Sequence, residues 1–230
     1  MQMRCLMTID VKICGLKTAE AVDKAVALGA NHVGFIFFEK SPRNIEPDDA
    51  ARLADRIRGR AKIVAVTVDA DNDTLDEIVS SLDPDILQLH GHETASRALD
   101  IRAIYGRPVM KAFSVREADD LRAVDAYIGI ADKFLFDAKA PKGSDLPGGN
   151  GVSFDWTLLD ALDAEVDYML SGGLNAGNIR EALQMTGTRA IDISSGVESA
   201  PGVKDLGRME EFFDAVAQAC TEPFRSRSTT

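Results

Sequence analysis

Apolar runs that fit buried strands alternate with stretches of helical periodicity about eight times along the chain. The predicted strands cover residues 9–14, 33–38, 62–68, 85–90, 108–113, 132–137, 166–171 and 189–194. The predicted helices cover residues 18–29, 47–59, 73–82, 93–105, 116–127, 154–163, 176–186 and 204–218. Strands and helices that alternate in this way form parallel sheets, and eight repeats favour a closed barrel. The sequence therefore predicts an α/β fold, a single (β/α)8 TIM barrel. An open dinucleotide-binding sheet is disfavoured because no G-x-G-x-x-G follows the first strand.

The predicted barrel domain spans residues 1–222 of the 230-residue chain, and the polar segment 223–230 is expected to be a frayed tail. Two connections are long, 39–46 after the second strand and the glycine-rich 138–151 after the sixth. Both follow the carboxyl end of a strand, which is the active-site face of a barrel. We expect them to be either lids over that face or ordinary flexible insertions.

Period-two alternation places polar side chains on the inward face of several predicted strands. In the first strand Lys12 and Cys14 lie opposite the apolar Val11 and Ile13. The same alternation turns four polar side chains inward at strand ends, namely Cys14, His90, Asp137 and Ser194. Inward polar groups are unfavourable unless they are paired or used, so their convergence predicts one shared pocket.

Cys14 and Asp137 have the chemistry of a base and an acid. A lone cysteine is more often a small buried apolar residue than a reactive one. Here Lys12 lies one inward step below Cys14, and a nearby cation lowers the pKa of a thiol, which would let Cys14 supply a thiolate near neutral pH; the sequence leaves its ionisation state open. Asp137 ends an apolar strand, where partial burial favours the protonated acid, although it would also suit the cap of a turn. One base and one acid on different strands predict proton transfer.

Two loops after the seventh and eighth predicted strands have the composition of a phosphate site. They contain Gly172-Gly173 and Ser194-Ser195-Gly196. Glycine lets backbone N–H groups approach a dianion, and a short helix beginning near Ser195 would direct its positive end at it. Barrels often bind phosphate after these two strands, so we expect a small phosphosugar substrate, with plain tight turns as the alternative.

Arginine and histidine positions refine this picture of the site. Arg43 follows Ser41-Pro42 in the first long loop and offers a guanidinium to a substrate carboxylate, unless it is an ordinary solvated arginine. His90 and His92 resemble a pair of metal ligands. His32 is the only other histidine, so a histidine-rich metal site cannot be completed and no metal is predicted.

Charge and cysteine content restrict the partners and the compartment. The net charge of −11 disfavours nucleic acid and anionic membrane surfaces, since both require a basic face. No apolar run reaches the roughly 18 residues of a membrane span, and residues 1–8 lack the features of a signal peptide. Three cysteines, an odd number in no metal-binding spacing, argue against a disulfide framework and predict a cytoplasmic protein.

Seven ordered motifs along nearly the whole chain resemble those of the phosphoribosylanthranilate isomerase family, the barrel enzymes of tryptophan biosynthesis. The motifs are Lys12-Ile13-Cys14-Gly15, Gly34-Phe35-Ile36-Phe37 with Ser41-Pro42-Arg43, Leu87-Gln88-Leu89-His90-Gly91, Phe136-Asp137-Ala138, Phe154-Asp155-Trp156, Gly172-Gly173-Leu174 and Asp192-Ile193-Ser194-Ser195-Gly196-Val197-Glu198. One departure is Gly148-Gly149-Asn150-Gly151, where the family usually has Gly-Gly-Thr-Gly. Together the motifs are highly specific, although Gly-Gly-Leu alone would mean little.

The resemblance implies an Amadori rearrangement of N-(5-phosphoribosyl)anthranilate to 1-(2-carboxyphenylamino)-1-deoxyribulose 5-phosphate, without cofactor or metal. By position, Asp137 is the general acid for the ribose ring oxygen and Cys14 the general base for the C2 proton. Arg43 is expected near the anthranilate carboxylate, while His90 and Asp192 line the substrate. The phosphate is expected on the backbone amides after strands seven and eight.

Other activities remain open on the same scaffold. A metal-dependent pentose-phosphate epimerase would lose activity with a chelator, and an aldolase would need a Schiff-base lysine, for which Lys111 or Lys133 is the candidate. A non-catalytic phosphosugar-binding protein is disfavoured because simple binding does not require both Cys14 and Asp137. The chain is expected to be a monomer or a homodimer.

Overall fold

Eight parallel strands close into a barrel in chain order in the computed structural model, which describes residues 8–139, 148–149, 151, 153–163 and 165–221. The strands are β1 Asp10–Cys14, β2 His32–Phe37, β3 Lys62–Thr67, β4 Ile86–Leu89, β5 Val109–Val115, β6 Lys133–Ala138, β7 Tyr168–Leu170 and β8 Ala190–Ile193. The α-helices are α1 Ala19–Ala27, α2 Pro47–Ala54, α3 Asn72–Leu82, α4 Ala95–Tyr105, α5 Ile179–Thr186 and α6 Leu206–Ala219. The predicted (β/α)8 barrel is confirmed.

Alternation along the strands separates two apolar layers. Phe134 and Phe136 belong to the large core between the barrel and its helices, whereas Leu135 belongs to a small cluster inside the barrel. Cys14 lies in a second interior cluster, while its neighbour Ile13 packs in the outer core. A strand with helices on one side and the barrel interior on the other is buried on both faces, which explains why its inward polar residues stand out.

Strand register brings the first strand against residues that are distant in sequence. β1 pairs with β8 so that Lys12 lies opposite Asp192, and it pairs with β2 so that Cys14 lies opposite Gly34. Closure of the barrel therefore joins two residues that are 180 positions apart. Both pairings bear directly on the site described below.

Two predicted α-helices, 116–127 and 154–163, are instead 3₁₀ helices over Ala118–Tyr127 and Trp156–Ala161. Their buried residues are three positions apart: Leu121 and Val124 in the first, and Trp156 and Leu159 in the second. A 3₁₀ helix has three residues per turn, so residues at this spacing share one face. The predicted helix 47–59 is also shorter, because α2 ends at Ala54 and continues as turns.

A short hairpin after β8 was not predicted from the sequence. A 3₁₀ turn over Ser195–Val197 leads into β9 Glu198–Ala200 and β10 Val203–Lys204, which pair antiparallel. Gly202 in its turn has φ +80° and lies so close to Pro42 that an added Cβ would be 2.4 Å from the Pro42 carbonyl oxygen. The hairpin is thus packed against the loop that follows β2.

Parts of the predicted loop 138–151 and the predicted tail 223–230 lie outside the described residues. Of the loop, Gly148, Gly149 and Gly151 are described at its far end. In the part of the chain that the structure covers, no helix is both long and apolar enough to span a membrane.

Candidate active site

A pocket with about 670 Å³ of empty space, its open mouth included, lies at the carboxyl ends of the strands. The predicted site residues among those that line it are Cys14, Arg43, His90, Asp137, Gly172, Gly173, Asp192, Ser194 and Ser195. The remaining predicted residue, Gly196, is not among the residues that line the pocket, and an added Cβ there would be 1.9 Å from the Leu174 carbonyl oxygen.

Cys14 occupies the last position of β1 and is 5% exposed. Burial raises the pKa of its thiol, and the Asp192 carboxylate raises it further. Lys12 and Lys204 act in the opposite direction but do not overcome burial. Burial thus has a larger effect on the pKa of Cys14 than the neighbouring cations, and the net direction favours the thiol form in the unliganded site.

Lys12 and Asp192 form an ion pair beneath Cys14. Lys12 is 0% exposed, and its Nζ donates to Asp192 Oδ1 at 2.9 Å. Burial lowers the pKa of Lys12, but Asp192 and Cys14 outweigh burial, and the net shift is upward. Lys12 is therefore a fixed positive charge within the barrel, in hydrogen-bonding contact with the thiol.

Asp137 lies on β6 and is 3% exposed. Its Oδ1 accepts a hydrogen bond from the backbone N–H of Ala138 at 2.9 Å, and its Oδ2 is 3.4 Å from His90 Nε2. Two glycines leave room for the carboxyl group, because an added Cβ would lie 3.1 Å from Oδ1 at Gly172 and 2.2 Å from Oδ2 at Gly148. The carboxyl group is thus close-packed by backbone and directed into the pocket.

His90, directly after β4, connects Asp137 to the barrel interior. Its Nδ1 is 3.1 Å from the Gln88 side-chain nitrogen, on a glutamine that is 0% exposed. When the Gln88 amide donates to Nδ1, the ring hydrogen is on Nε2 and faces Asp137. Gln88 therefore fixes the orientation of His90 from below. His92 points away and lies against Asp69.

The two loops predicted to bind phosphate both line the pocket. Gly172 and Gly173 have φ values of +90° and +63°, which allow the backbone to turn sharply after β7. The Ser194 hydroxyl donates to the carbonyl of Cys14 at 3.1 Å, so the β8 loop is fixed against the end of β1. A 3₁₀ turn begins at Ser195, as the sequence predicted. Both loops contribute residues to the lining of the pocket.

Arg43 is buried and already paired with a protein carboxylate. Its Nε donates to Glu198 Oε1 and its Nη2 to Glu198 Oε2, both at 2.8 Å. Lys204 Nζ donates to the same Glu198 Oε1 at 2.6 Å and to the Ser194 carbonyl at 3.0 Å. Glu198 and Lys204 were missed as functional residues, although Glu198 ends one of the seven motifs and a buried arginine signals a carboxylate partner.

Neither lysine proposed for a Schiff base reaches the pocket as a free amine. Lys111 is 3% exposed and donates to Glu93 Oε2 at 2.9 Å and to the Gly91 carbonyl at 2.7 Å. Lys133, at the start of β6, pairs with Asp167. Across the described residues, no group of three or more His, Cys, Asp and Glu side chains is arranged to hold a metal ion.

Comparison with known proteins places this site in a family. A family model described as N-(5'-phosphoribosyl)anthranilate (PRA) isomerase matches residues 11–215. The chain belongs to the PRA isomerase family. One relative in this family, the N-(5'-phosphoribosyl)anthranilate isomerase of Rhizobium meliloti (strain 1021), is 76% identical over 213 residues, covering 93% of this chain and 99% of the relative.

Solved structures of PRA isomerases share the fold. The phosphoribosyl anthranilate isomerase of Thermotoga maritima superposes with a TM-score of 0.81 at 32% identity, covering 90% of this chain and 98% of that one. A phosphoribosyl anthranilate isomerase in complex with reduced 1-(o-carboxyphenylamino)-1-deoxyribulose 5-phosphate superposes with a TM-score of 0.76 at 31% identity, covering 90% and 97%. The resemblance of the seven motifs is thus confirmed at the level of the family.

Proposed function

We propose that this chain isomerises N-(5'-phosphoribosyl)anthranilate to 1-(2-carboxyphenylamino)-1-deoxyribulose 5-phosphate in tryptophan biosynthesis. The observation that carries the proposal is the convergence of a thiol and a carboxyl group, Cys14 and Asp137, on one pocket beside two glycine- and serine-containing loops. Family membership supports the same reaction. The rearrangement moves hydrogen within one molecule and requires no external electron acceptor, so an acid and a base are sufficient for it.

In the first step Asp137 donates its proton to the ribose ring oxygen. The bond from that oxygen to C1 breaks, and the nitrogen lone pair forms a protonated C1 imine. The product of this step carries a positive charge next to C2, which makes the C2 proton more acidic. His90, 3.4 Å from Asp137, is placed to line the sugar and to stabilise the carboxylate that remains.

In the second step Cys14 removes the C2 proton. The electron pair of the C–H bond forms the enolamine and neutralises the imine, and tautomerisation then gives the ketone. The base is the Cys14 thiolate, which forms when the thiol loses its own proton to solvent and is stabilised by positive charge nearby. Lys12 and Lys204 supply part of that charge, and the imine supplies the rest only after ring opening.

The remaining predicted residues hold the substrate in this proposal. Arg43 receives the anthranilate carboxylate, and Asp192 faces the sugar from β8. The phosphate binds the backbone amides and hydroxyls of Gly172, Gly173, Ser194, Ser195 and the adjoining Gly196. Anchors at both ends of the substrate leave the ribose between the acid and the base, which is the arrangement that proton transfer requires.

The proposal is tested by following the loss of anthranilate-type fluorescence when the purified chain is mixed with phosphoribosylanthranilate and excess chelator. Wild type should consume the substrate, and Cys14→Ala should lose most of the turnover. Cys220→Ala is the matched control, since Cys220 is also buried but lies at the end of α6. No consumption by wild type, or equal rates for Cys14→Ala and Cys220→Ala, would overturn the proposal.

The physiological setting completes the proposal. The partner is the small phosphosugar itself, and the charge of −11 disfavours nucleic acid or a membrane. A cytoplasmic location and a monomeric or homodimeric state remain predictions. Light scattering at two protein concentrations distinguishes a monomer from a dimer, and cell fractionation tests the location.

A further inference from the structure

A cluster of three buried charges lies beside the pocket, and in the proposed reaction only Arg43 contacts the substrate. Arg43 is 4% exposed, Glu198 is 5% exposed, and the Lys204 side chain is 2% exposed. Burying charges is unfavourable unless each is paired and hydrogen-bonded. A second cation on a carboxylate that already has a bidentate partner therefore requires an explanation.

One nitrogen of the Arg43 guanidinium, Nη1, is available to a ligand. Its Nε and Nη2 hold the Glu198 carboxylate as a fork, and Nη2 also donates to the Gly149 carbonyl at 3.2 Å. No hydrogen bond among the described residues engages Nη1. Arg43 lines the pocket, so Nη1 is the part of the fork that can meet a ligand.

Lys204 is charged in this arrangement. Its Nζ donates to three acceptors, namely Glu198 Oε1, the Ser194 carbonyl and the Ser194 hydroxyl, and three donor hydrogens require the ammonium form. Burial lowers the pKa of Lys204, and Glu198 opposes that shift. For Glu198, Arg43 and Lys204 outweigh burial, and its pKa is lowered. The cluster is thus one carboxylate with two cations.

The cluster therefore carries one net positive charge. The nearest other buried pair, Lys12 with Asp192, is neutral as a pair. Arg208 donates to the backbone carbonyl of Glu198 but is exposed, so water screens its charge. A ligand carboxylate against Arg43 would bring the cluster to neutrality in a site where water screens little.

We infer that Lys204 determines specificity for the substrate carboxylate by adding a buried positive charge to the Arg43–Glu198 pair. Without Lys204, Arg43 and Glu198 would satisfy each other and attract an incoming anion weakly. With Lys204, Glu198 is shared between two cations, and Arg43 keeps a net attraction for a carboxylate. The inference rests on the proposed function only in taking an aminobenzoate as the group that carries the carboxylate.

The test compares two ligands that differ only in that carboxylate. They are the reduced product, 1-(2-carboxyphenylamino)-1-deoxypentitol 5-phosphate, and its 1-phenylamino counterpart, both titrated by calorimetry. Wild type should prefer the carboxylated ligand by about 10- to 100-fold, the range of a buried charge-assisted hydrogen bond. Lys204→Met should reduce that ratio by about tenfold, and any effect of the variant on phosphate binding through Ser194 cancels in the ratio because both ligands carry the phosphate.

A charge rescue separates this role from a purely structural one. Glu198→Gln combined with Lys204→Met restores one net positive charge, and the amide oxygen still accepts from Arg43, so the ratio should recover above that of Lys204→Met alone. Lys24→Met, which removes a partly exposed lysine paired with Glu210, should leave the ratio unchanged. Thermal denaturation checks that each variant is folded.

The outcomes are distinct. An unchanged ratio in Lys204→Met, or a double variant no better than Lys204→Met, would overturn the role of Lys204 while leaving the proposed function intact. Failure of wild type to bind either ligand would instead overturn the proposed function. Equal affinity of wild type for both ligands would overturn only the carboxylate recognition.

Discussion

The two sides of the pocket differ in the charged groups that surround Cys14 and Asp137. On the base side, Cys14 is surrounded by charges, with Lys12 fully buried against Asp192 and Lys204 nearby. On the acid side, Asp137 has no lysine or arginine within ion-pair distance among the described residues, and its neighbours are His90 and backbone. A base must gain charge and an acid must keep its proton until it acts. The base side therefore carries the cations that stabilise a charged base, and the acid side carries none among the described residues.

The largest expected effect is on the acid side. Asp137→Asn keeps the shape of the side chain and removes the transferable proton, so kcat/KM should fall by about 10³-fold, within the range of general acid catalysis. Affinity for the reduced product should change by less than about threefold, because Asp137 acts on the ring oxygen. Asp167→Asn, at the opposite end of the barrel, is the matched control and should retain full activity. More than a tenth of wild-type kcat/KM in Asp137→Asn would remove Asp137 as the acid.

The next largest effect on activity is expected from a change on the base side of the pocket. Lys12→Met withdraws the cation in contact with Cys14, so kcat/KM should fall by about 10²-fold at neutral pH. In wild type, kcat/KM should rise with pH through a Cys14 pKa that burial holds above its ordinary value, since only the thiolate is a base. Without Lys12 this rise should begin at still higher pH, which a pH–rate profile would show. A profile that does not move would contradict the role of Lys12.

A double variant separates catalysis from stability at the same place. Lys12→Met alone leaves Asp192 as a buried unpaired charge, and the free energy of unfolding should fall by about 3 to 5 kcal/mol. Adding Asp192→Leu replaces the pair by apolar side chains and should restore most of that stability but not the activity. Urea unfolding of the single and double variants gives this comparison.

Most of the fold and part of this site follow from local sequence patterns. The period-two alternation that turns Cys14 and Asp137 inward is a property of each strand, so both were found without knowledge of the neighbours. The carboxyl ends of parallel strands meet at one face, which explains why both residues line the same pocket. The isomerase family was found from motifs that contain these same residues.

The features of the site that could not be predicted depend on contacts between residues that are distant in the sequence. The pKa of Cys14 depends on burial against the effects of Lys12, Asp192 and Lys204, and the sequence does not indicate which of these effects is larger. The pairing of Arg43 with Glu198 joins residues 155 positions apart and needs the hairpin after β8. A local pattern indicates that such residues are polar but does not indicate which of them meet.

A smaller effect tests how tightly the base side is packed. An added Cβ at Gly34 would lie 3.0 Å from Cys14 Sγ and 3.2 Å from Lys12 Nζ. Gly34→Ala should therefore displace the thiol by a few tenths of an ångström and lower kcat by about three- to tenfold. Gly207→Ala, in the first turn of α6, should have no effect on kcat. If Gly34→Ala keeps the wild-type rate, contact between Gly34 and the thiol has no catalytic consequence.

The smallest effect on activity comes from a titratable group that belongs to neither side. His32 begins β2, at the end of the barrel opposite the pocket, and burial lowers its pKa to about 4. Because the unfolded chain takes up this proton at a pKa of about 6.5 and the folded protein does not, stability is present above pH 6.5 and is lost as pH falls toward 4. The loss should not exceed about 3 kcal/mol.

Urea unfolding between pH 7.5 and 4.5 measures this slope. His32→Gln should flatten it and leave kcat/KM at neutral pH nearly unchanged, whereas His92→Gln, with a side chain that is 95% exposed, should retain the slope of wild type. An unaltered slope in His32→Gln would assign the acid sensitivity to carboxylates instead. A flattened slope would show that acid weakens the barrel from its far end, so a loss of activity below pH 6.5 must be corrected for unfolding before it is attributed to Cys14 or Asp137.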